Sequence, residues 1–436
     1  MRVLVVDISS RLGGVGGGAR VAANLLCELR RYGIDTYYLG YKTEYIRQDS
    51  KALILGLETK SKLFKDPGEK GALKSLAEAW SIYLNAGGDK GIVEKSVFRG
   101  LMESRPIRLL YYSRYSMLNF YTDKIRGFVK KTKPDIVLSN SALDYILLTK
   151  MKRDLKGSKF VYIEHANVSG AYKTALDYNI LPLTFGTGKY IGLEKARRRF
   201  FGFFDGVVAL NSEQKESITK YNDDVTVIHS SILIKERRVE PKRLQRLKSR
   251  YGIGDGSKVV MYLGRLAEVQ KNVSTLIEAF KGIREREFKL VIVGEGKSMP
   301  MYQKMAEDDQ RIIMTGRIGE TELPYYYSLG QLYVLPSVWE SFNATMIEAA
   351  HFGEALLLSN KGINNDLKEK FGGRLYTFDP MDAEELRRKI KRYFSDKKLQ
   401  ADLNRLSSDI AKEYSKEKQM GAYARALSRL YKTGRL

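Results

Sequence analysis

The sequence predicts an α/β protein with two Rossmann-like domains, each built on a doubly wound parallel sheet. Two observations carry this prediction. First, short apolar runs alternate with amphipathic helical stretches along most of the 436 residues, which is typical of parallel sheets covered by helices on both faces. Second, the alternation stops at a basic segment at residues 235–250 and then starts again. Because one core rarely absorbs a chain of this length, two large domains fit the sequence.

We assign the first domain to residues 1–234. It opens with the apolar strand RVLVVDIS, a glycine-rich loop and the helix VAANLLCELRRYG. Further buried-type strands are PDIVLSN, KFVYIEH and DGVVALN, with helical stretches between them. A segment of about residues 50–133 interrupts the pattern, and we interpret it as a basic, tyrosine-containing insertion with helical pieces.

We assign the second domain to residues 235–414. Its strands are KVVMYL, KLVIVG, RIIMTG, QLYVLP and ALLLSN, and helical stretches such as NVSTLIEAFKGIRER separate them. Sheets of this kind bind ligands beyond the carboxyl ends of their strands. We therefore expect the functional residues in the loops that follow the strands, facing a cleft between the two domains.

The composition limits the classes of function. Hydrophobic residues make up 43% of the chain and charged residues 29%, as in a globular protein. The single cysteine, Cys27, excludes an intrachain disulfide framework and a multi-cysteine metal site. The sequence shows neither a signal-peptide pattern nor an apolar run of about 18 residues. We expect a cytoplasmic protein.

The net charge is +24, from 75 lysines and arginines against 51 acidic residues. Residues 1–234 hold 37 basic and 24 acidic side chains, and the segment 235–250 is also strongly basic. Such an excess attracts nucleic acid, anionic lipid or phosphorylated substrates. A solvated basic surface that maintains solubility explains the charge equally well.

The glycine-rich loop between the first strand and helix is a candidate phosphate site. Gly16 and Gly17 belong to it, and glycines let backbone N–H groups approach an anion at the positive end of a helix. The spacing matches neither the dinucleotide-binding fingerprint nor a P-loop. A flexible loop is therefore nearly as good an interpretation.

Three further candidates follow strands. Arg265 and Lys271 come after VVMYL, and a forked guanidinium with a mobile ammonium suits a diphosphate. Surface charge is the alternative for both residues. His165 follows the strand KFVYIE, a position that favours ligand contact over core packing.

Two glutamates stand eight residues apart in LPSVWESFNATMIEAAHFG. Glu340 follows a strand, and Glu348 lies inside an apolar helix, where a carboxylate needs hydrogen-bond donors such as ligand hydroxyls. The amides of Ser341, Phe342 and Asn343 precede that helix and can face an anion. Helix capping explains Glu340 as well, but it does not explain Glu348.

These motifs, taken in order along the chain, resemble a known family. The glycine loop, PDIVLSN, VYIEH, DGVVALNSEQKE, GRL followed by lysine, VGEG, TGRI and the E-x7-E pair are similar to those of retaining glycosyltransferases of family 4 type (glycosyl transferases group 1), which have the two-domain GT-B fold. The resemblance covers nearly the whole chain and is strongest over 259–360. It implies that a last helix, 415–436, packs back on the first domain.

The resemblance also implies a site for a nucleotide-sugar donor, UDP- or GDP-linked. Fixed positive groups would stabilise the leaving nucleoside diphosphate, so no metal and no cofactor is expected. By similarity, Arg265 and Lys271 would bind the diphosphate, Glu348 the ribose hydroxyls, and Gly16 and Gly17 the donor's phosphates. Glu340 would bind hydroxyls of the transferred sugar with help from the amides of Ser341, Phe342 and Asn343, and His165 would lie across the cleft from the sugar. The backbone near Arg317 and Ile318 would contact the base.

The leading functional hypothesis is therefore retaining transfer of a hexose to an acceptor held by the first domain. The basic excess suits a lipid-linked or cell-envelope glycan at the cytoplasmic face of an anionic membrane. A soluble disaccharide or polysaccharide synthase of the same fold is the alternative enzyme. A basic nucleic-acid-binding protein is the non-enzymatic alternative, although the sequence contains no recognisable nucleic-acid-binding module.

Overall fold

The computed structural model divides the chain into two compact units. It describes residues 1–7, 17–41, 51–55, 122–141, 144–165, 193–230, 239–361 and 365–436. Unit 1 contains the described residues up to Ser230 together with Lys416–Leu436, and unit 2 contains the described residues from 239 to Ser415. Gly16 and most of the insertion predicted at about 50–133 lie outside the described residues.

Strands and helices alternate along both units. The strands are β1 Arg2–Asp7, β2 Asp35–Tyr41, β3 Ala52–Leu55, β4 Ile136–Ser139, β5 Lys159–Glu164, β6 Gly206–Ala209, β7 Val225–Val227, β8 Lys258–Leu263, β9 Phe288–Val293, β10 Ile312–Gly316, β11 Leu332–Leu335, β12 Ala355–Ser359 and β13 Thr377–Phe378. The α-helices are α1 Gly17–Glu28, α2 Thr122–Thr132, α3 Asp144–Met151, α4 Leu193–Phe201, α5 Ser212–Thr219, α6 Pro241–Arg250, α7 Glu268–Lys271, α8 Val273–Lys281, α9 Met299–Ala306, α10 Leu323–Tyr327, α11 Ala344–His351, α12 Asn365–Phe371, α13 Ala383–Ser395, α14 Lys397–Glu413 and α15 Lys416–Thr433.

Each unit has one parallel sheet. The order in unit 1 is β3-β2-β1-β4-β5-β6-β7, and the order in unit 2 is β10-β9-β8-β11-β12-β13. The central strands are buried at almost every position, as expected of strands covered on both faces. In each sheet the winding direction reverses once, between β1 and β4 in unit 1 and between β8 and β11 in unit 2. Ligands of doubly wound sheets bind at the carboxyl ends of the strands on either side of such a reversal.

An aromatic cluster packs α3 and the end of α4 against the sheet of unit 1. Phe200 and Phe204 lie at and just beyond the end of α4, and their rings lie 5.0 and 5.2 Å from the ring of Tyr162 on β5. Tyr145 on α3 packs on the same Phe200 ring at 5.1 Å. All four side chains are buried, and pairing of this kind adds to the free energy gained by burial. The cluster therefore fixes β5, the strand that carries His165 at its carboxyl end.

The last helix of the sequence packs on unit 1. Lys416 forms an ion pair with Glu28 at 2.9 Å, and Tyr423 and Leu427 of α15 are fully buried. The backbone N–H of Leu436 donates to Asp224 Oδ2 at 2.6 Å. The predicted α/β class, with two doubly wound sheets and a last helix that returns to the first unit, is confirmed. Within the described residues, no helix is both long and apolar enough to cross a bilayer.

Candidate active-site residues of the two units

The reversal point of unit 2 brings two loops together. One follows β8 and contains Arg265 and α7, and the other follows β11 and leads into α11. Gln270 joins them. Its side-chain Nε2 donates to the backbone carbonyl of Trp339 at 3.2 Å, and its backbone carbonyl accepts from Val338 N at 2.8 Å. The two loops therefore form one hydrogen-bonded surface at the carboxyl edge of the sheet.

Lys271 and Glu340 form an ion pair across these loops, with Nζ donating to Oε1. Their side chains are only 13% and 8% exposed. Lys271 ends α7, where Asn272 adopts a left-handed conformation with φ of 48° and donates from Nδ2 to the carbonyl of Pro380 at 2.7 Å. The structure thus joins two residues that the sequence analysis assigned separately, one to the diphosphate and one to the sugar. Because both are largely buried, each charge depends on the other for its stabilisation.

Arg265 is in the same loop after β8 as Lys271, and its side chain is exposed. Its Nη2 donates to Gln270 Oε1 at 2.8 Å, and its carbonyl accepts from the hydroxyl of Tyr262 at 3.0 Å. The backbone is therefore held by the strand, and the guanidinium by Gln270. An exposed arginine fixed in this way can offer further donors of its planar fork to an anion.

Two glycines of the VGEG motif allow the loops after β8 and β9 to approach closely. A Cβ on Gly294, whose φ is 141°, would lie 1.9 Å from the carbonyl oxygen of Gly264, and a Cβ on Gly296 would lie 2.0 Å from that of Leu266. Any side chain at either position would push the loop that carries Arg265 out of place. These glycines therefore position the backbone of the candidate site.

Glu348 is buried in α11 with 1% of its surface exposed. Its Oε2 accepts a hydrogen bond from the hydroxyl of Tyr327 on α10 at 2.7 Å. A protein hydroxyl thus satisfies the carboxylate that the sequence analysis assigned to ligand hydroxyls. Such a carboxylate retains lone pairs for a further donor.

The start of α11 is held by Asn343. Its side chain accepts from Met346 N at 2.9 Å and from Thr345 Oγ1 at 2.7 Å, as an N-cap does. Phe342, half-buried before it, packs edge-on against Tyr414 with ring centroids 5.4 Å apart. Ser341 is also half-buried. The side chains of Phe342 and Asn343 therefore fix the loop, which leaves the backbone amides as the candidate contacts.

Arg317 and Ile318 follow β10, the edge strand of the sheet. Arg317 is exposed and forms an ion pair with Glu295 at 3.4 Å. Ile318 is half-buried. Their position is two strands away from β8, at the carboxyl edge that also carries Arg265.

Unit 1 carries His165 at the corresponding edge of its own sheet. His165 Nε2 lies 2.7 Å from Asn140 Oδ1, and Asn140 Nδ2 donates to Asp7 Oδ2 at 3.1 Å. Burial lowers the pKa of His165 to about 4, although the carboxylate of Asp7 acts in the opposite direction. The imidazole is therefore neutral near pH 7. Gly17 is the first residue of α1, whereas Gly16 lies outside the described residues.

Four residues at these edges were not among the candidates predicted from the sequence. Asp7 ends β1 and Asn140 follows β4. A search for polar residues at strand ends could have selected both. Gln270 and Tyr327 carry no such signal, because a glutamine on a short helix and one of three successive tyrosines are ordinary surface or core residues. Only the folded chain shows that they contact Arg265 and Glu348.

Comparison with known proteins relates unit 2 to a family. Residues 245–408 match the family model described as glycosyl transferases group 1. Alpha-monoglucosyldiacylglycerol synthase of Streptococcus pneumoniae is 29% identical over 190 residues, which cover 41% of this chain and 43% of that protein. The serotype-specific mannosyltransferase WbdA of Escherichia coli is 25% identical over 291 residues, which cover 62% of this chain and 35% of that protein. The chain thus spans less than half the length of the curated relatives it matches.

Solved structures share the fold of both units. Anabaena HepE in complex with UDP-glucose has a TM-score of 0.63 at 15% identity, covering 99% of this chain and 100% of that chain. Sucrose-phosphate synthase from Thermosynechococcus elongatus has a TM-score of 0.66 at 16% identity, covering 99% of each chain. At these identities the likeness shows the fold, which is the two-domain GT-B class. The match to the glycosyl transferases group 1 model covers residues 245–408, nearly all of unit 2.

Proposed function

We propose that this chain is a retaining glycosyltransferase that moves a hexose from a nucleotide-sugar to an acceptor. The observation that carries the proposal is the Lys271–Glu340 ion pair at the reversal point of the unit 2 sheet, within the segment that matches glycosyl transferases group 1. A buried pair of opposite charges at the usual ligand position of a doubly wound sheet suits a polar, anionic ligand.

The donor is a nucleoside diphosphate sugar in this proposal. Arg265 and Lys271 supply two cations for the diphosphate, and Glu348 has acceptor capacity for ribose hydroxyls. The structures of Anabaena HepE with UDP and with UDP-glucose support UDP as the first nucleotide to test. The cations and the N-terminus of α11 stabilise charge that develops on the leaving diphosphate. We therefore propose transfer without a metal ion or cofactor.

The acceptor is a lipid-linked or cell-envelope glycan at the membrane surface in this proposal. Helices α2 and α4 cover the same core of unit 1, and both carry exposed cations. These are Lys124, Arg126, Lys130, Lys131, Arg198 and Arg199. Each cation close to an anionic membrane contributes about 1 kcal/mol of attraction. The name of the S. pneumoniae relative describes a glucosyldiacylglycerol product, which supports an acceptor that carries a lipid. Transfer to a free sugar would instead support the soluble synthase.

The decisive experiment is calorimetric titration of the purified chain with UDP and with GDP in metal-free buffer. We expect one of the two diphosphates to bind. Glu348→Gln and Arg265→Ala should each weaken that binding at least about tenfold, because each removes a direct contact worth about 1.4 kcal/mol or more. A folded wild-type chain that binds neither diphosphate would contradict the proposal.

Two matched controls separate the site from general effects of burial and charge. Glu354 is as buried as Glu348 but precedes β12, at the amino edge of the sheet. Burial raises its pKa well above the usual value, so Glu354→Gln removes little charge. Arg286 is exposed just before β9, at the same amino edge. Glu354→Gln and Arg286→Ala should leave the affinity for the diphosphate unchanged.

A further inference from the structure

Three polar side chains are hydrogen-bonded in a row across the carboxyl edge of the unit 1 sheet. Asp7 ends β1, Asn140 follows β4, and His165 follows β5, and these three strands are neighbours in the sheet. Asp7 has no exposed surface and Asn140 is 4% exposed. Donor binding by unit 2, as proposed above, gives neither residue a role. Their burial and alignment therefore need a separate explanation.

The hydrogen-bond pattern allows one orientation of the Asn140 amide. A carboxylate oxygen only accepts hydrogen bonds, so the NH₂ group must face Asp7 and the amide oxygen must face His165. The reverse orientation would place two acceptor oxygens at the 3.1 Å distance that now separates Asn140 Nδ2 from Asp7 Oδ2. The amide oxygen of Asn140, 2.7 Å from His165 Nε2, also only accepts. Nε2 of the imidazole must therefore carry the proton.

We propose that Asp7, acting through Asn140, fixes His165 in the Nε2–H tautomer and so presents Nδ1 as a hydrogen-bond acceptor. Asp7 and Asn140 are positioning residues in this arrangement, because neither needs to touch a ligand. A neutral imidazole with Nδ1 as acceptor can receive a hydrogen bond from a ligand hydroxyl, but it cannot supply positive charge to a diphosphate. This last consequence rests on the proposed function, whereas the tautomer does not.

The other ionisable groups of this edge keep the arrangement in place. Asp144 is buried, and its Oδ2 accepts from the backbone N–H groups of Asn140 at 3.0 Å and Ser141 at 2.9 Å. Burial and the carboxylates of Asp7 and Asp144 raise the pKa of Tyr38, which therefore stays neutral. Burial outweighs Asp7 in setting the pKa of His165. The imidazole accordingly remains neutral, and its tautomer depends on Asn140.

The wild-type chain provides the first test without any substitution. The sequence contains three histidines, so two-bond proton–nitrogen correlation spectra of the ¹⁵N-histidine-labelled protein can resolve each ring, and His229→Gln and His351→Gln assign the remaining one. At pH 7 we expect the His165 signals of a single Nε2–H tautomer. An Nδ1–H tautomer, an even mixture or an imidazolium would overturn the proposal.

Two nearly isosteric variants test the roles of Asn140 and Asp7. Asn140→Asp places a carboxylate against Nε2–H, so the titration midpoint of His165 should rise by about one to three pH units. Asp7→Asn removes the group that orients the Asn140 amide, and His165 should then show both tautomers. Asp144→Asn is the matched control, because it removes a buried carboxyl of the same edge whose Oδ2 accepts from the backbone N–H of Asn140. Its His165 tautomer should stay that of the wild type.

The outcomes separate this proposal from the proposed function. A wild-type tautomer in folded Asp7→Asn, or an equal mixture in Asp144→Asn, would overturn the role of Asp7. The spectra need no ligand. If the tautomer results hold while neither UDP nor GDP binds, the proposed function fails and the positioning of His165 stands.

Discussion

The carboxyl edges of the two sheets have the same topology and different chemistry. At the reversal point of unit 1, the carboxylate of Asp7, the amide of Asn140 and the neutral imidazole of His165 follow one another. At that of unit 2, Lys271 and Glu340 form an ion pair. The winding order determines where polar side chains gather, and the residue types determine what they can bind. Asp7, Asn140 and His165 present hydrogen-bonding groups without positive charge, whereas Lys271 and Glu340 present a fixed pair of opposite charges.

The largest effect should follow from breaking the ion pair of unit 2. Lys271→Met leaves the carboxylate of Glu340, which is 8% exposed, without its cation. Loss of one partner from a buried pair costs about 3 kcal/mol or more of unfolding free energy. Loss of a cation from the diphosphate site should also lower the transfer rate at least about a hundredfold. Urea unfolding and a sugar-transfer assay measure the two effects.

The matched variant in unit 1 is Lys159→Met. Lys159 and Asp205 lie 2.9 Å apart, but their side chains are 43% and 30% exposed, so this loss should cost no more than about 1 kcal/mol. Equal losses of stability in Lys271→Met and Lys159→Met would show that burial does not distinguish the two pairs.

An intermediate effect should follow from removing the asparagine N-caps of α5 and α11. Asn211 accepts from Gln214 N at 2.8 Å in unit 1, and Asn343 accepts from Met346 N at 2.9 Å in unit 2. Replacing either by alanine should cost about 1 kcal/mol of unfolding free energy. Only Asn343→Ala should also weaken diphosphate binding, because its loop carries the candidate amides. Titration calorimetry on both variants would refute this distinction if the two affinities were equal.

The smallest effect should follow from Arg317→Ala. The ion pair of Arg317 with Glu295 spans 3.4 Å, with side chains 47% and 58% exposed, so its loss should change the unfolding free energy by less than about 0.5 kcal/mol. The resemblance assigns the base to the backbone at this position, and the affinity for the diphosphate should therefore change less than about threefold. A tenfold loss with Arg317→Ala would instead give the guanidinium a direct contact with the ligand.

The amino-acid sequence could locate the edges because strand ends are visible in it. Apolar runs such as VVMYL and QLYVLP mark β8 and β11, so the polar residues after them were candidates. It could not show that Lys271 and Glu340 contact each other, because the two residues are 69 positions apart and their pairing depends on the register of neighbouring strands.

The contacts of single side chains were even less accessible to sequence. The hydroxyl of Tyr327 reaches Glu348, while Tyr325 and Tyr326, the two tyrosines before it, lie buried elsewhere. Helical phase decides which of the three faces α11, and the predicted bounds of a five-residue helix are too imprecise to fix that phase. The link between Asn140 and His165 likewise requires that β4 and β5 be neighbours in the sheet.

The position of α15 determines the order in which the chain can complete its units during synthesis. All of unit 2 leaves the ribosome before Lys416–Leu436, the residues that finish unit 1. Until then Tyr423 and Leu427 are missing from the core of unit 1, and the hydrogen bond from the backbone N–H of Leu436 to Asp224 has not formed. Domains generally fold in the order of their synthesis. Here the unit that starts first is completed last, after unit 2 has had time to fold.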